Sequence, residues 1–538
     1  MKKILYLLII LIIACTPEIK KIITPDEIAV IPRPLHISEG TSKFILNPNI
    51  NIISNPDTDN EAKYLKKKLK EFNNIKVQKS TSSKNGIALI LNSALKNTLG
   101  EEGYKLKTSK SKITIEAATT TGIFYGIQTL LQILYPAHFD NTEAVNIGII
   151  DKPAFKWRAF MLDEARYFKG MEVVKNLLDQ MALLKMNVFH WHLVDDQGWR
   201  IEIKKYPKLT EIGSKRKASN IGGYAGEGGW SSEKYDNTPH SGYYTQEQIK
   251  EIVAYARDRH ITVIPEIEMP GHCKAAIASY PWLGTTGKKI EVPVKFGAQD
   301  ESYNVADPRV IGFLQDVITE VIELFPGKII HIGGDEVRYG KWEKSKTVQK
   351  YMKEHNIKTP ADLQIYFTNN MSNFINSKGY RMMGWNDILG GVHDYQNPEK
   401  NKTEQTLAKS TIIHFWKGET KLIDKAVKNG YDIVNSHHIY SYLDYRYIDL
   451  PLKKMYGFSP VPEGLDAKYR SKIIGIGCEM WGEWIPTVKD MERQIFPRIA
   501  AYAEVAWTPE ENKDFEKFQK SLHNLEMIWE KEGINYKK

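Results

Sequence analysis

Cysteine is nearly absent from this chain. Cys15, Cys273 and Cys478 are the only three in 538 residues, which excludes a small fold stapled by disulfides. Low-complexity tracts and internal repeats are lacking. With 42% apolar and 11% aromatic residues, the chain is neither mainly disordered nor fibrous. No stretch reaches 18 consecutive apolar residues, so no transmembrane span is expected. Charge of one sign is also in short supply. The formal net charge of +9 is spread along the sequence, a poor basis for nucleic-acid binding and only a weak bias towards acidic glycans or anionic membranes. A Gly-rich phosphate loop after a strand is missing too, which weighs against an open, nucleotide-binding doubly wound sheet.

The one long apolar run is at the start. Lys2 and Lys3 precede ten uninterrupted apolar residues, 4–13. That run is too short to span a bilayer but fits the core of a signal peptide. Ile12-Ile13-Ala14-Cys15 resembles a bacterial lipoprotein signal, cut before Cys15 and lipidated on it. The expected organisation is therefore a signal peptide over 1–14 and a linker over 15–27. The mature protein would be anchored to the bacterial cell envelope, periplasmic or on the outer surface, rather than spanning a membrane. Cys273 and Cys478 read as buried thiols.

Two regimes of pattern follow. From 28 to 152, short strands alternate with two amphipathic helices over 60–72 and 121–134. The segment Lys112-Ile113-Thr114-Ile115-Glu116 has the period of a half-buried strand. This reads as a small α+β domain, ending near Asp151-Lys152-Pro153, because proline continues neither kind of element. From 153 to 510, eight apolar runs recur: 157–163, 186–192, 261–267, 328–333, 380–385, 411–416, 431–435 and 473–478. Several of the intervals have helical period. Thr245 and Gln248 form a candidate capping box, and Asp307-Pro308 opens a helix. Eight strands alternating with helices predict a (β/α)8 TIM barrel, followed by a terminal helix within 511–538.

In such a barrel the chemistry lies at the C-terminal strand ends. Those ends carry Asp163-Glu164-Ala165-Arg166, His190-Trp191-His192, Glu266-Ile267-Glu268, Asp335-Glu336, Trp385-Asn386-Asp387, Trp416, Tyr442-Leu443-Asp444 and Trp481-Gly482-Glu483. Indole faces cover the apolar faces of pyranose rings, and carboxylates both accept hydrogen bonds from hydroxyls and perform acid/base work. The combination points to a sugar site. Ordinary glycosidases flank the scissile bond with two carboxyl groups, about 5 Å apart when retaining and about 6.5–9.5 Å when inverting. Asp335 and Glu336 are sequence neighbours and are poorly placed for that. They suit a reaction in which the substrate supplies its own nucleophile.

His331-Ile332-Gly333-Gly334-Asp335-Glu336 resembles the signature of family 20 glycoside hydrolases, the β-N-acetylhexosaminidases. The segments 189–199, 265–272, Gly384-Trp385-Asn386 and Trp481-Gly482-Glu483 resemble the family in its order, and the preceding α+β domain is also similar. The resemblance implies an exo-acting, retaining hydrolase that removes terminal β-linked N-acetylglucosamine or N-acetylgalactosamine through an oxazolinium intermediate, with neither metal nor cofactor. It implies Glu336 as general acid/base and Asp335 as the carboxylate that orients the 2-acetamido group. Tyr442 would donate to the acetamido oxygen, and Trp385, Trp416 and Trp481 would wall the sugar. Arg166, Asp444 and Glu483 would grip its hydroxyls. Asp195 and His272 would form a relay behind Glu336, and His192 and Asp196 are candidates either to touch the sugar or to support the residues that do.

Two other readings compete. The pair His190-x-His192 shares one strand face and could ligate zinc in a metal-dependent hydrolase. His437 and His438 follow strand seven, but strands four to six offer no coherent further ligand set. Alternatively, the protein is a lipid-anchored glycan-binding protein without turnover, a reading that would normally require loss of the acid.

Overall fold

The computed structural model describes residues 18–73, 75–80, 86–223, 229–297, 299–390 and 403–538. The chain divides into two units, one comprising residues up to 28 with 36–151 and the other comprising 29–35 with 152–538. The signal peptide and Cys15 fall outside the described residues.

The first unit is built on a seven-stranded sheet. Its strands are β1 (His36–Ser38), β2 (Asn49–Ile53), β3 (Lys76–Ser80), β4 (Gly86–Leu91), β5 (Tyr104–Thr108), β6 (Lys112–Ala117) and β7 (Gly148–Asp151), in the order β1-β7-β5-β6-β4-β2-β3. In β6 the alternation seen in the sequence resolves as expected: Ile113, Ile115 and Ala117 are buried and their neighbours half-buried. Two helices, α1 (Asp59–Asn73) and α2 (Thr120–Leu134), pack together. Helix α2 starts where Thr119 Oγ1 accepts a hydrogen bond from Gly122 N at 3.2 Å, satisfying one of the open donors of the first turn. The described part of the stretch expected to be a linker, 15–27, is not featureless. Lys21–Ile23 forms an edge strand that pairs in parallel with Glu143–Val145.

The second unit is a closed parallel barrel. Its strands are β8 (Trp157–Asp163), β9 (Val188–His192), β10 (Thr262–Glu266), β11 (Ile329–His331), β12 (Arg381–Trp385), β13 (Ile412–Phe415), β14 (Asp432–Asn435) and β15 (Ile473–Met480). Each lies on one of the eight apolar runs. The helices α3 (Met171–Leu183), α4 (Gln246–Arg257), α5 (Pro308–Leu324), α6 (Pro360–Ser377), α7 (Lys421–Lys428), α8 (Arg498–Trp507) and α9 (Phe515–Glu532) belong to the same unit. The capping box forms: Gln248 N donates to Thr245 Oγ1 at 3.2 Å, and Thr245 N donates to Gln248 Oε1 at 2.9 Å. Asp307 caps α5 by accepting from Arg309 N at 2.9 Å. Between β12 and β13 the described residues hold a short 3-10 turn, Asn386–Leu389. Residues 29–35, placed by sequence in the first domain, pack with the barrel unit. Arg33 N donates to Glu504 Oε2 at 3.1 Å and Asn524 Nδ2 to the Ala29 carbonyl at 3.2 Å.

The lower interior of the barrel is apolar. Trp157, Ala159, Val188, Ile264, Met383, Ile412 and Val434 form one buried cluster. Towards the C-terminal ends the same strands turn polar and aromatic.

Candidate active site

The site begins with an arginine. Arg166, just past β8, is buried and faces three carboxylates. Its guanidinium lies 3.0 Å from Asp163 Oδ2, 2.7 Å from Asp195 Oδ2 and 3.5 Å from Glu483 Oε1. Its Nε donates to Gln197 Oε1 at 3.1 Å. Asp163 is held from the other side by Gly482 N at 2.9 Å, so the ends of β8 and β15 are tied together. Burial pushes the Glu483 carboxyl up to about 7 despite the arginine. Its Oε2 is buried and has no protein partner.

The turn after β11 presents the acidic pair. Gly333 and Gly334 have φ of +64° and +89°, and a Cβ on Gly333 would lie 1.8 Å from Glu268 Oε2. Only glycine permits both that backbone and that approach. Glu268 Oε2 accepts from Gly334 N at 3.2 Å, and Gln364 Nε2 donates to the Gly334 carbonyl at 2.7 Å. Glu336 itself has φ +47°, a left-handed conformation that is costly for a residue with a Cβ. Its amide donates to Asp387 Oδ1 at 3.0 Å, which helps hold it there. Asp335 is buried, whereas the Glu336 side chain is 35% exposed. Burial, opposed by His272 and reinforced by Asp387 and Glu336, lifts the Asp335 carboxyl to about 7. Asp335 Oδ1 is buried without a protein partner, free to accept a ligand N–H.

His272 stands behind the pair, also in the left-handed region at φ +46°. Its Nδ1 lies 3.2 Å from Asp195 Oδ1 and 3.3 Å from Asp196 Oδ2. Its Nε2 lies 3.7 Å from Asp335 Oδ2 and 3.8 Å from Glu336 Oε2. Burial opposes the imidazolium, but Asp195 and Asp335 outweigh it and raise His272 well above the usual range.

Aromatic side chains line the remaining walls. Met161, Trp385, Tyr442 and Trp481 form one buried cluster, with Trp416 packed against it. The Trp416 and Tyr442 rings are parallel within 6° at 5.9 Å, and Trp385 and Trp481 are 5.8 Å apart. Arg166 lies over the Trp481 ring at 5.3 Å. Burial and then Glu479 keep the Tyr442 hydroxyl protonated, hence able to donate. Asp444 is buried two residues further on and acts electrostatically on Tyr445 and Glu479.

The structure thus brings Arg166, Asp195, His272, Asp335, Glu336, Trp385, Trp416, Tyr442, Trp481 and Glu483 around one barrel mouth. His192 is a correction. It is fully buried, with Nδ1 2.6 Å from Glu266 Oε2 and Nε2 3.0 Å from Asp195 Oδ2. Both ring nitrogens are engaged by protein carboxylates, so neither is left to hydrogen-bond a sugar, and His192 takes the supporting place. Two strand-end carboxylates named in the sequence without a role prove to be positioning residues. Asp387 bonds Glu336 N and also accepts from Trp416 Nε1 at 2.8 Å; the signal was its place in Gly384-Trp385-Asn386-Asp387. Glu266 accepts from Trp385 Nε1 at 2.7 Å; the signal was a carboxylate ending an otherwise apolar strand.

Three buried groups among the described residues have ligand atoms close enough for a metal ion: His190 with Glu266 and His331, His192 with Asp195 and Glu268, and Asp195 with Asp196 and His272. His331 on β11 is a partner for His190 that sequence spacing did not reveal. In the second group, His192 bonds directly to Asp195 and Glu266, and an ion would have to displace the protons these bonds need. His438, by contrast, bonds Tyr445 Oη at 2.7 Å.

Residues 155–510 match a family model described as glycosyl hydrolase family 20, catalytic domain, and residues 27–150 match family 20, domain 2. A β-hexosaminidase of Porphyromonas gingivalis is 36% identical over 98% of this chain and 66% of its own length; the chain thus spans about two thirds of that relative. A β-hexosaminidase of Vibrio furnissii is 34% identical over 88% of this chain and 76% of its own. Among solved structures, an exo β-N-acetylglucosaminidase of Vibrio harveyi in complex with N-acetylglucosamine is similar with a TM-score of 0.81 and 31% identity, covering 97% of this chain and 80% of that one.

Proposed function

The chain belongs to glycosyl hydrolase family 20, and we propose that it removes terminal β-linked N-acetylhexosamine from glycans by substrate-assisted catalysis. The observation that carries this is the division of labour in one adjacent pair. Asp335 is buried beside the aromatic walls with an open acceptor oxygen, while Glu336 is partly exposed where a leaving group would depart. In this reading Asp335 accepts the acetamido N–H, and Tyr442 donates to the acetamido oxygen. That oxygen attacks the anomeric carbon as the glycosidic bond breaks. Glu336 delivers its proton to the leaving oxygen, which departs as an alcohol, and the sugar becomes an oxazolinium ion. Glu336 then takes a proton from water as that water opens the ring from the face the leaving group vacated, so configuration is retained. Arg166 and Glu483 close the far end of the pocket, which suits exo action.

A matched pair of aryl β-glycosides tests this. The N-acetylglucosaminide should be cleaved and the plain glucoside left intact, with the same rate after chelator treatment. Cleavage of both sugars would mean a nucleophile from the protein, and binding without cleavage would favour a glycan-binding role.

We also infer lipidation at Cys15 and attachment to the cell envelope. This rests on the sequence alone: two lysines, ten apolar residues and Ala14 directly before the cysteine. A radiolabelled fatty acid should be incorporated by the wild-type chain and not by Cys15→Ala.

A further inference from the structure

We propose that Glu266 is a positioning residue that couples the acetamido wall to the relay behind the acid, through a permanently protonated His192. Glu266 ends β10 and is fully buried. One of its oxygens takes the Trp385 indole N–H at 2.7 Å, and the other takes His192 Nδ1 at 2.6 Å. His192 Nε2 continues to Asp195 Oδ2 at 3.0 Å, and Asp195 Oδ1 meets His272 Nδ1 at 3.2 Å. A single carboxylate therefore fixes the indole that walls the sugar and anchors the chain that ends at Asp335 and Glu336.

The protonation state of His192 follows from its two contacts together with the ionisation of Glu266 and Asp195, both held well below the ordinary carboxylate range. Each ring nitrogen faces the oxygen of an ionised carboxylate, which can only accept. Both nitrogens must donate, so the ring is an imidazolium. The groups around it agree. Glu266 and Asp195 bond it, while Glu268, with an oxygen in the same cluster, is raised well above the carboxylate range by burial and adds no charge. Asp163 adds a further negative field, Trp481 packs edge-on at 5.1 Å, His190 is a neutral neighbour because burial lowers it to about 4, and Arg166, which shares Asp195 Oδ2 with His192, is the opposing positive charge. Burial works against the charge, but Glu266 and the bond to Asp195 overcome it and lift His192 to about 10. Glu266 and Asp195 are in turn held well below the carboxylate range, against their own burial, by surrounding histidines and, for Asp195, by Arg166. The buried charges thus support one another, and losing one member should be felt by the rest.

The inference rests on the assignment of Asp335 and Glu336, and its tests separate the two. In wild-type protein labelled with 15N-histidine, and assigned with His192→Asn, both His192 nitrogens should stay protonated between pH 6 and about 9. A neutral His192 ring at pH 7 overturns the proposal without reference to any variant's folding. In Glu266→Gln the indole acceptor can survive but the negative charge is gone. Its kcat/KM should fall at least about tenfold, and a new alkaline limb should appear below any limb of the wild type, because the neutral His192 that forms keeps its Nε2–H on Asp195 but no longer supplies positive charge beside it. Glu266→Asp keeps the charge and should remove that limb while leaving KM raised, since the shorter side chain releases Trp385. A pH profile of Glu266→Gln that superimposes on wild type, while Glu336→Gln is inactive, overturns the coupling and spares the functional reading. Full activity in Glu336→Gln overturns the reading itself.

Discussion

Two layers of the same eight strands make opposite uses of burial. On β9, β10, β12 and β13 the inward positions climb from Val188 to His190 and His192, from Ile264 to Glu266, from Met383 to Trp385 and from Ile412 to His414. Side chains two residues apart share a strand face, so one step of about 6–7 Å along each strand separates oil from charge. The lower layer stabilises the barrel by removing apolar area from water. The upper layer works against stability. Glu268 and Glu479 are pushed well above the carboxylate range by burial, and Asp335 and Glu483 rise to about 7. Such groups persist because fixed dipoles and charges aimed at a developing transition state need no reorganisation when it forms.

The sharpest way to break the comparison is to disarm the upper layer without touching the lower. Glu336→Gln should lower kcat/KM by about 10²–10⁴, with an unfolding midpoint close to wild type because its side chain is 35% exposed. The deficit should shrink for aryl substrates whose leaving groups need little protonation. A uniform deficit across leaving groups would remove Glu336 from the acid role.

Asp335→Asn should follow, at about 10²-fold on 2-acetamido substrates, since the attacking oxygen loses its orientation. It should also gain stability. The folded carboxyl at about 7 lies above its ordinary 3.8, so ionising it in the fold is unfavourable. That penalty is absent below about pH 4, grows as pH rises, and is complete above about pH 7. The Asn variant should therefore melt above wild type at pH 8 and level with it at pH 4. Equal melting at both would mean that Asp335 is not desolvated.

The barrel was legible because hydrophobic period and strand-end chemistry point the same way. All eight runs became strands, and Asp335, Glu336, Trp385 and Tyr442 came together from the ends of three of them. Two features were hidden. Residues 29–35 carry no periodic pattern, and their attachment to the barrel runs through Glu504 and Asn524, 471 and 495 residues away from their partners in sequence. His192 looked like a sugar contact because its strand end faces the mouth. Only the distances to Glu266 and Asp195 reveal that both nitrogens are spent on those carboxylates. Long-range hydrogen bonds of this kind leave no local periodicity to read.

The lower layer gives the converse variant. Ile264→Ala removes buried methylene groups two residues before Glu266 and should cost about 2–5 kcal/mol of stability. Measured well below the unfolding transition, its KM and pH profile should match wild type. A changed pH profile would mean that the two layers are mechanically linked rather than merely stacked.

The smallest effect sets one aspartate against another. Asp307 caps α5 outside the barrel and pairs with Arg309 at 2.6 Å. The Arg309 hydrogen bonds, opposed by slight burial, hold its carboxyl below 3.8. A depressed carboxyl contributes stability that is present above its unfolded value and is lost as pH falls through the folded one. Asp307→Asn keeps a capping oxygen and removes the charge, so it should cost about 0.3–1 kcal/mol at pH 7 through the lost interaction with the helix N-terminus. The cost should shrink as pH falls below 3.8 and vanish once the folded carboxyl is protonated, and the kinetics should be unchanged. The same chemical substitution therefore stabilises at position 335 and destabilises at 307 at pH 8, and thermal melts of the two variants side by side read that reversal directly. Shifts of the same sign would mean that desolvation does not distinguish the mouth of the barrel from its outer helices.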